Sequence, residues 1–194
     1  MNCTALIANM NLLVGLNEEE TKFLESVLIP RQFRQGEVLM QNGDTARYLM
    51  FVSEGFLMSY FTDKNGNEHV VQFARDGWWC GDFYSLNANP VTPFTTRALR
   101  DGEVLMLPRT AHQQLLEKYG KFEKYFRLFF QERYMRQQWR LIENFSDSAE
   151  ERYQSFTATF PGMEQYVPQK YIASYLGITP EFLSRVRKRL QVKS

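Results

Sequence analysis

The sequence predicts an α+β protein, strand-rich in its first half and helical in its second. Three observations carry that expectation. Short apolar runs punctuated by glycine fill Arg31 to Leu107, the apolar period turns helical after Pro108, and the chain closes on two short amphipathic segments joined by a tight turn. The composition is that of a folded protein: 194 residues, 44% hydrophobic, 23% charged and 15% aromatic, far from the low-hydrophobicity profile of disorder. Its 16 Phe and 10 Tyr suit a strand-rich body. Net charge is only +1, so a partner that is a polyanion would have to be met by a local patch.

Taken in order, the chain opens on a stretch from Met1 to Leu16 with no cation before Lys22 and with Asn2, Asn9 and Asn11 breaking its apolar run. That is not a secretory signal, and no run of about 18 apolar residues follows. A cytoplasmic protein is expected. Asn17 followed by Glu18, Glu19 and Glu20 reads as an N-cap with an acidic first turn, leading into Phe23, Leu24 and Val27, with Pro30 ending the helix. Apolar runs then recur around Gly43, Gly55, Gly66 and Gly77, from Val38-Leu39-Met40 to Val104-Leu105-Met106-Leu107. This spacing predicts an all-β sandwich or barrel of about eight strands. Asp63 to Asn67 is a hairpin turn, with Asn65-Gly66 supplying positive φ.

After Pro108 an apolar stripe runs through Leu115, Tyr119, Phe122, Phe126, Phe129 and Phe130 and on to Tyr134, Leu141 and Phe145. A helix from Lys121 to Phe145 would span roughly 37 Å at the α-helical rise. Its apolar positions exceed one narrow stripe, as expected if one side packs on its own barrel and another meets a second chain; the alternative is a helix buried wholly within one subunit. Ser146 to Glu150 marks a hinge or a new helix start.

The last two segments, Gln169 to Leu176 and Glu181 to Leu190, are the most informative. Gly177 suits a left-handed residue at the end of the first, Thr179 can cap the second, and Pro180 fits a first helical turn. Ile172, Ala173 and Leu176 can meet Ile178, Leu183 and Val186 across a close crossing. Helix, tight turn, helix is how a recognition helix is presented to the major groove. From Thr179 onward Arg185, Arg187, Lys188, Arg189 and Lys193 oppose only Glu181, leaving the rest of the chain slightly acidic. That is the footprint of a phosphate-binding module; the alternative is a solvated helix.

Other chemistries find little support. Cys3, Cys80, His69 and His112 are the only cysteines and histidines, too few for an iron–sulfur or zinc set, and Cys80 reads as a buried small hydrophobe. No metal, no cofactor and no catalytic residues are expected. A cupin enzyme would need several histidines on facing strands, and no nucleophile–base pair stands out.

These pieces together resemble the Crp/Fnr family of bacterial transcription regulators over roughly residues 12–192. The resemblance rests on Gln35-Gly36-Glu37-Val38-Leu39, Gln41-Asn42-Gly43-Asp44, Phe51-Val52-Ser53-Glu54-Gly55, Gly77-Trp78-Trp79-Cys80-Gly81-Asp82-Phe83, and Arg97-Ala98-Leu99 ahead of Val104 to Pro108, in that order. It implies a jelly-roll (double-stranded β-helix) sensor domain of cyclic-nucleotide-binding type over 1–117, a dimerisation helix over 118–146, and a winged-helix-like helix-turn-helix domain over 147–194 whose wing is truncated by the stop at Ser194. It also implies a homodimer on a palindromic duplex operator, with RNA polymerase and an unidentified small-molecule effector as further candidate partners and no membrane.

Glu181 and Arg185 fall where the family carries its base-reading Glu and Arg, on one helix face. Arg185 suits guanine and Glu181 suits cytosine. Thr179, Pro180, Gln169, Ser184 and Lys188 complete the DNA-binding set, Pro180 departing from a position where a cation is common. Relatives that hold a cyclic nucleotide use a Gly-Glu-Leu segment and an Arg-Ser-Ala segment. Here these read Gly81-Asp82-Phe83 and Thr92-Pro93-Phe94, without the phosphate-pairing cation. Cyclic AMP is therefore not expected to bind tightly. An effector pocket, if one exists, would involve Trp79, Gly81, Asp82, Phe83, Tyr84, Thr92, Phe94 and Thr95; the aromatic residues either line it or fill it. The rival reading is a sensor module that regulates a partner protein without touching DNA.

Overall fold

A computed structural model describes residues 3–87 and 91–193. The element order is α1 (Thr4–Asn11), α2 (Glu18–Val27), β1 (Ile29–Phe33), β2 (Val38–Met40), β3 (Tyr48–Thr62), β4 (Glu68–Arg75), β5 (Trp79–Cys80), α3 (Phe83–Asn87), β6 (Thr95–Pro108), α4 (Arg109–Lys118), α5 (Gly120–Ser146), α6 (Ala149–Thr159), a 3-10 turn (Met163–Gln165), α7 (Gln169–Leu176) and α8 (Pro180–Lys193). This is a mixed fold with one six-stranded sheet, ordered β1-β6-β3-β4 with β2 added to β6 and β5 to β3, every described ladder being antiparallel. Among the described residues no helix is long and apolar enough to cross a membrane.

The described residues form six strands where glycine spacing suggested about eight. Gly55 and Gly102 do not break strands; they bend them. In β3 the pairing with β6 shifts register between Val52 and Leu57, and Gly55 there takes φ +106. A Cβ on Gly55 would stand 2.7 Å from the Asp101 carbonyl oxygen, and one on Gly102 would stand 2.0 Å from that of Glu54. Two short runs on either side of a glycine therefore fuse into one long bulged strand. The end of α2 also differs in detail. The helix stops at Val27 because Leu28 is already extended, and Pro30 lies within β1, an end strand of the sheet path where a missing N–H is tolerated.

The chain divides into two compact units, Met1–Phe61 with Gln72–Gln131, and Thr62–Val71 with Glu132–Ser194. In the first, alternation along β3 sends Leu49 and Phe51 to one core and Met50 and Val52 to another. The former core is shared with α1, α2, α4 and the first half of α5; the latter lies with Phe33, Leu57, Cys80 and Val104. Asn17 and Glu20 form the expected capping box, Asn17 Oδ1 accepting from the Glu20 N–H and the Asn17 N–H donating to Glu20.

In the second unit, α6 begins at a further capping box between Ser148 and Glu151. Phe156, Phe160, Met163, Ile172, Leu183 and Val186 are buried and form its interior. Helix α5 runs roughly 40 Å at the α-helical rise, buries Phe122, Tyr125, Phe126 and Phe129, and leaves Tyr134, Met135, Trp139, Ile142 and Phe145 exposed. The second half of this helix is thus not buried within the single chain, and Phe145 is 84% exposed.

Candidate nucleic-acid interface

Helices α7 and α8 are joined by a turn built from backbone chemistry. Gly177 takes φ +67, the Ile178 N–H donates to the Ala173 carbonyl and the Gly177 N–H to that of Ser174, a Schellman closure of α7. Thr179 Oγ1 then accepts from the Phe182 N–H at 3.2 Å, capping α8, while Pro180 occupies a position that needs no N–H partner. Gln169 Nε2 donates to the Pro180 carbonyl at 2.8 Å and ties the start of α7 to the start of α8. Ile172, Ala173, Leu176, Leu183 and Val186 are buried in the crossing.

Of the seven residues predicted to meet DNA, Gln169 and Thr179 hold the turn and Pro180 opens the helix. Glu181, Arg185 and Lys188 lie exposed along one face of α8, with Ser184 half-buried beside them. The Glu181 carboxyl is held below the usual range by its own backbone N–H, by the Thr179 hydroxyl and by the charge of Arg185. Arg185 lies with its guanidinium 5.2 Å from the Phe182 ring centroid. Two neighbouring cations are engaged inside the unit: Arg189 pairs with Glu150 at 3.4 Å and Arg187 hydrogen-bonds Tyr153. Arg185 and Lys188 are in no ion pair among the described residues.

The predicted effector residues divide into two groups. Asp82, only 4% exposed, receives the Ser85 hydroxyl and the Thr92 hydroxyl at 2.8 Å on one oxygen, and the Tyr84 and Ser85 N–H groups at 3.1 Å on the other. Thr92 Oγ1 also accepts from the Phe94 N–H at 3.2 Å. Thr95 accepts from the Asn42 N–H, and Gly81 takes φ +142 beside Tyr48 and Leu49. Trp79 belongs to a different neighbourhood. It is 1% exposed, donates from Nε1 to the Tyr125 hydroxyl at 2.9 Å, and packs against Phe51 and Phe126. The Tyr125 hydroxyl in turn donates to Asn9. Phe83 packs on Phe129 and Phe130 of α5, and Tyr84 is 70% exposed.

Sequence reasoning did not anticipate Ser85 as the second hydroxyl on Asp82, nor Arg140 and Ser174, which bind the tip of the β3–β4 hairpin. The i, i+3 spacing of Asp82 and Ser85 at the start of a short helix was the available signal for the first. The other two carried none, because their partners are backbone groups distant in sequence.

Comparison with known proteins places this geometry. The cyclic nucleotide-binding domain family matches residues 30–119. The protein named "Probable transcriptional regulator flp" of Lacticaseibacillus casei is 30% identical over 198 residues, covering 97% of this chain and 87% of the relative. The chain belongs to the Crp/Fnr family of transcription regulators. Solved structures agree at the level of fold. FixK2 from Bradyrhizobium japonicum superposes with a TM-score of 0.74 at 18% identity, over 86% of each chain. A Crp/Fnr-family transcriptional regulator from Eubacterium rectale superposes at 0.70 with 21% identity, over 92% of this chain and 85% of its own.

Proposed function

We propose that this regulator works in the cytoplasm as a homodimer on palindromic duplex DNA. The β-roll over 1–117 serves as a sensor-type domain, the helix over 118–146 as the dimer seam, and the helix-turn-helix domain over 147–194 as the reader. The observation that carries this is the exposed face of α8, where Arg185 and Lys188 remain outside any ion pair among the described residues while neighbouring cations are engaged internally. Arg185 can donate two parallel hydrogen bonds to guanine O6 and N7, Glu181 can accept from cytosine N4, and Lys188 can meet a phosphate. The exposed Tyr134, Met135, Trp139, Ile142 and Phe145 on α5 support pairing with a second copy. Two reading heads would then meet successive major grooves about 34 Å apart. RNA polymerase is a candidate partner of the bound dimer.

Cyclic AMP is not the effector in this reading. The shorter Asp82 already has both oxygens engaged by donors of its own chain, and neither segment supplies a cation for a phosphate. A cyclic nucleotide would have to break those bonds and then leave its charge unpaired. The test is selection of duplexes from a random pool by purified protein, without effector, at near-physiological salt. A two-fold symmetric motif is the expected result. Failure to enrich any motif would overturn the reading, in favour of either an effector-dependent dimer or a sensor module acting through protein partners. Micromolar binding of cyclic AMP by calorimetry, lost on substitution within Gly81 to Thr95, would overturn the nucleotide-independent part alone.

A further inference from the structure

One end of the sheet path is finished by a helix instead of a strand. β4 closes the order β1-β6-β3-β4, and an end strand presents backbone groups that need a partner. At its start, Ser174 of α7 supplies both halves of that partner. Its hydroxyl accepts from the Val70 N–H at 2.9 Å and donates to the Glu68 carbonyl at 3.1 Å. A carbonyl on one residue and an N–H two residues later are what a parallel neighbour would engage with its own N–H and C=O. One side-chain hydroxyl reproduces that pairing.

Arg140 performs the matching task for the helix. The Schellman turn satisfies the carbonyls of Ala173 and Ser174, which leaves the carbonyl of Tyr175 among the open acceptors at the end of α7. Arg140 Nη2 donates to it at 2.9 Å, while Nη1 of the same guanidinium donates to the Val71 carbonyl at 2.8 Å. The guanidinium also lies 3.9 Å from the Tyr175 ring centroid. A cation there meets the negative end of the α7 dipole, and a planar fork can hold two carbonyls at once in a way an ammonium cannot. Lys170 adds an exposed pair with Glu68 at 3.8 Å, which contributes little by itself.

The hairpin that carries Glu68 to Val71 is stiff enough to act as an anchor. Asp63 Oδ1 accepts from the Asn65 and Asn67 N–H groups and Oδ2 contacts His69 Nε2 at 2.9 Å. Its carboxyl is held well below the usual range by His69 first and then by Asn67. Residues Thr62–Val71 group with the helix-turn-helix unit, although β3 and β4 continue beyond it at Phe61 and Gln72 into the other.

We infer that Ser174 and Arg140 are positioning residues of the DNA-reading head: together they clamp α7 to the hairpin tip and thereby fix the orientation of α8. This rests on the reading of α8 as the recognition helix. Neither side chain touches DNA in this account, so their removal weakens operator binding without changing the number of phosphates engaged.

The test uses the full chain and the duplex motif selected above. Ser174→Ala and Arg140→Ala each weaken binding about tenfold, with the slope of log affinity against log salt unchanged. Ser174→Thr, which keeps the hydroxyl, stays within about twofold of wild type, whereas Arg140→Lys, keeping charge but not the fork, recovers only part of the loss. Hydrogen exchange provides a readout independent of DNA. The Val70 amide exchanges about tenfold faster in Ser174→Ala, and the α7 amides lose protection in Arg140→Ala. Wild-type affinity in both alanine variants, with Val70 exchange unchanged, would overturn the clamp. If the wild type itself selects no duplex, the recognition reading fails, and the exchange of Val70 alone decides whether the clamp exists. If Arg140→Ala does not fold, the Ser174 pair of variants carries the test.

Discussion

The exposed face of α8 and the Asp82 cassette use similar polar chemistry to opposite ends. Around Asp82 the donors and acceptors of Ser85, Thr92 and two backbone N–H groups close on one another in a buried site. On α8, Arg185 and Lys188 stay exposed and outside any ion pair among the described residues, although Arg187 and Arg189 nearby are engaged. A buried polar cluster is stable only when complete, so closure removes the capacity to take a charged ligand. A surface cation costs little when left open and gains most when a phosphate or base edge arrives. The Asp82 cluster is thus completed within the chain, whereas the exposed face of α8 still carries cations outside any ion pair among the described residues.

The first way to break this contrast is to open the closed site. Asp82→Ala leaves the Thr92 hydroxyl and two N–H groups without their acceptor, and the Ser85 hydroxyl with the Val91 carbonyl alone, at a cost of about 3 kcal/mol in unfolding free energy measured by urea titration. A cost near zero would mean the cassette is not the closed unit described. A third kind of buried polar group tests the same rule from the other side. His112 is 3% exposed, neither ring nitrogen has a hydrogen-bond partner among the described residues, and its ring meets Phe126 edge-on at 4.5 Å.

Burial lowers the His112 pKa to about 4 from an ordinary 6.5. The unfolded chain then binds more protons between those values, so stability rises with pH across that window. The penalty is absent above about pH 6.5, grows on acidification and is complete near pH 4, where it reaches about 3 kcal/mol. Urea titrations from pH 4 to 7 should show His112→Leu losing about 3 kcal/mol less than wild type on acidification. Parallel pH profiles would contradict the assignment.

On the open side the effects fall on binding and spare the fold. Arg185→Ala costs about 2 kcal/mol on the selected duplex and relaxes preference at one base pair, with unfolding unchanged. An equal loss on every sequence would make Arg185 a phosphate contact. The smallest expected effect is at the start of α6. Ser148→Ala removes half of a capping box and costs about 1 kcal/mol of stability.

Legibility in the sequence followed the range of the interactions. The turn of the helix-turn-helix was readable residue by residue, since Gly177, Thr179 and Pro180 act through local backbone chemistry. The capping box at Asn17 was legible for the same reason. Helix α1 was not: Cys3 offers no side-chain cap and its first turn has no acid, so its apolar residues carried no start signal. Strand number was overestimated because Gly55 looks like a turn residue, whereas it serves a close backbone approach to a distant strand. In the site itself, Glu181 and Arg185 could be placed on one face from helical spacing. That Gln169 ties α7 to the Pro180 carbonyl, or that Arg140 joins two segments, depended on contacts that spacing does not encode.

The most direct measurement is a titration of the selected duplex by fluorescence anisotropy, at near-physiological salt, with and without saturating cyclic AMP. The account predicts tight, sequence-specific binding in its absence and the same curve in its presence. Specific binding that emerges only when the nucleotide is added would contradict it, because the cassette around Asp82 would then be open to a ligand and the reading head dependent on it.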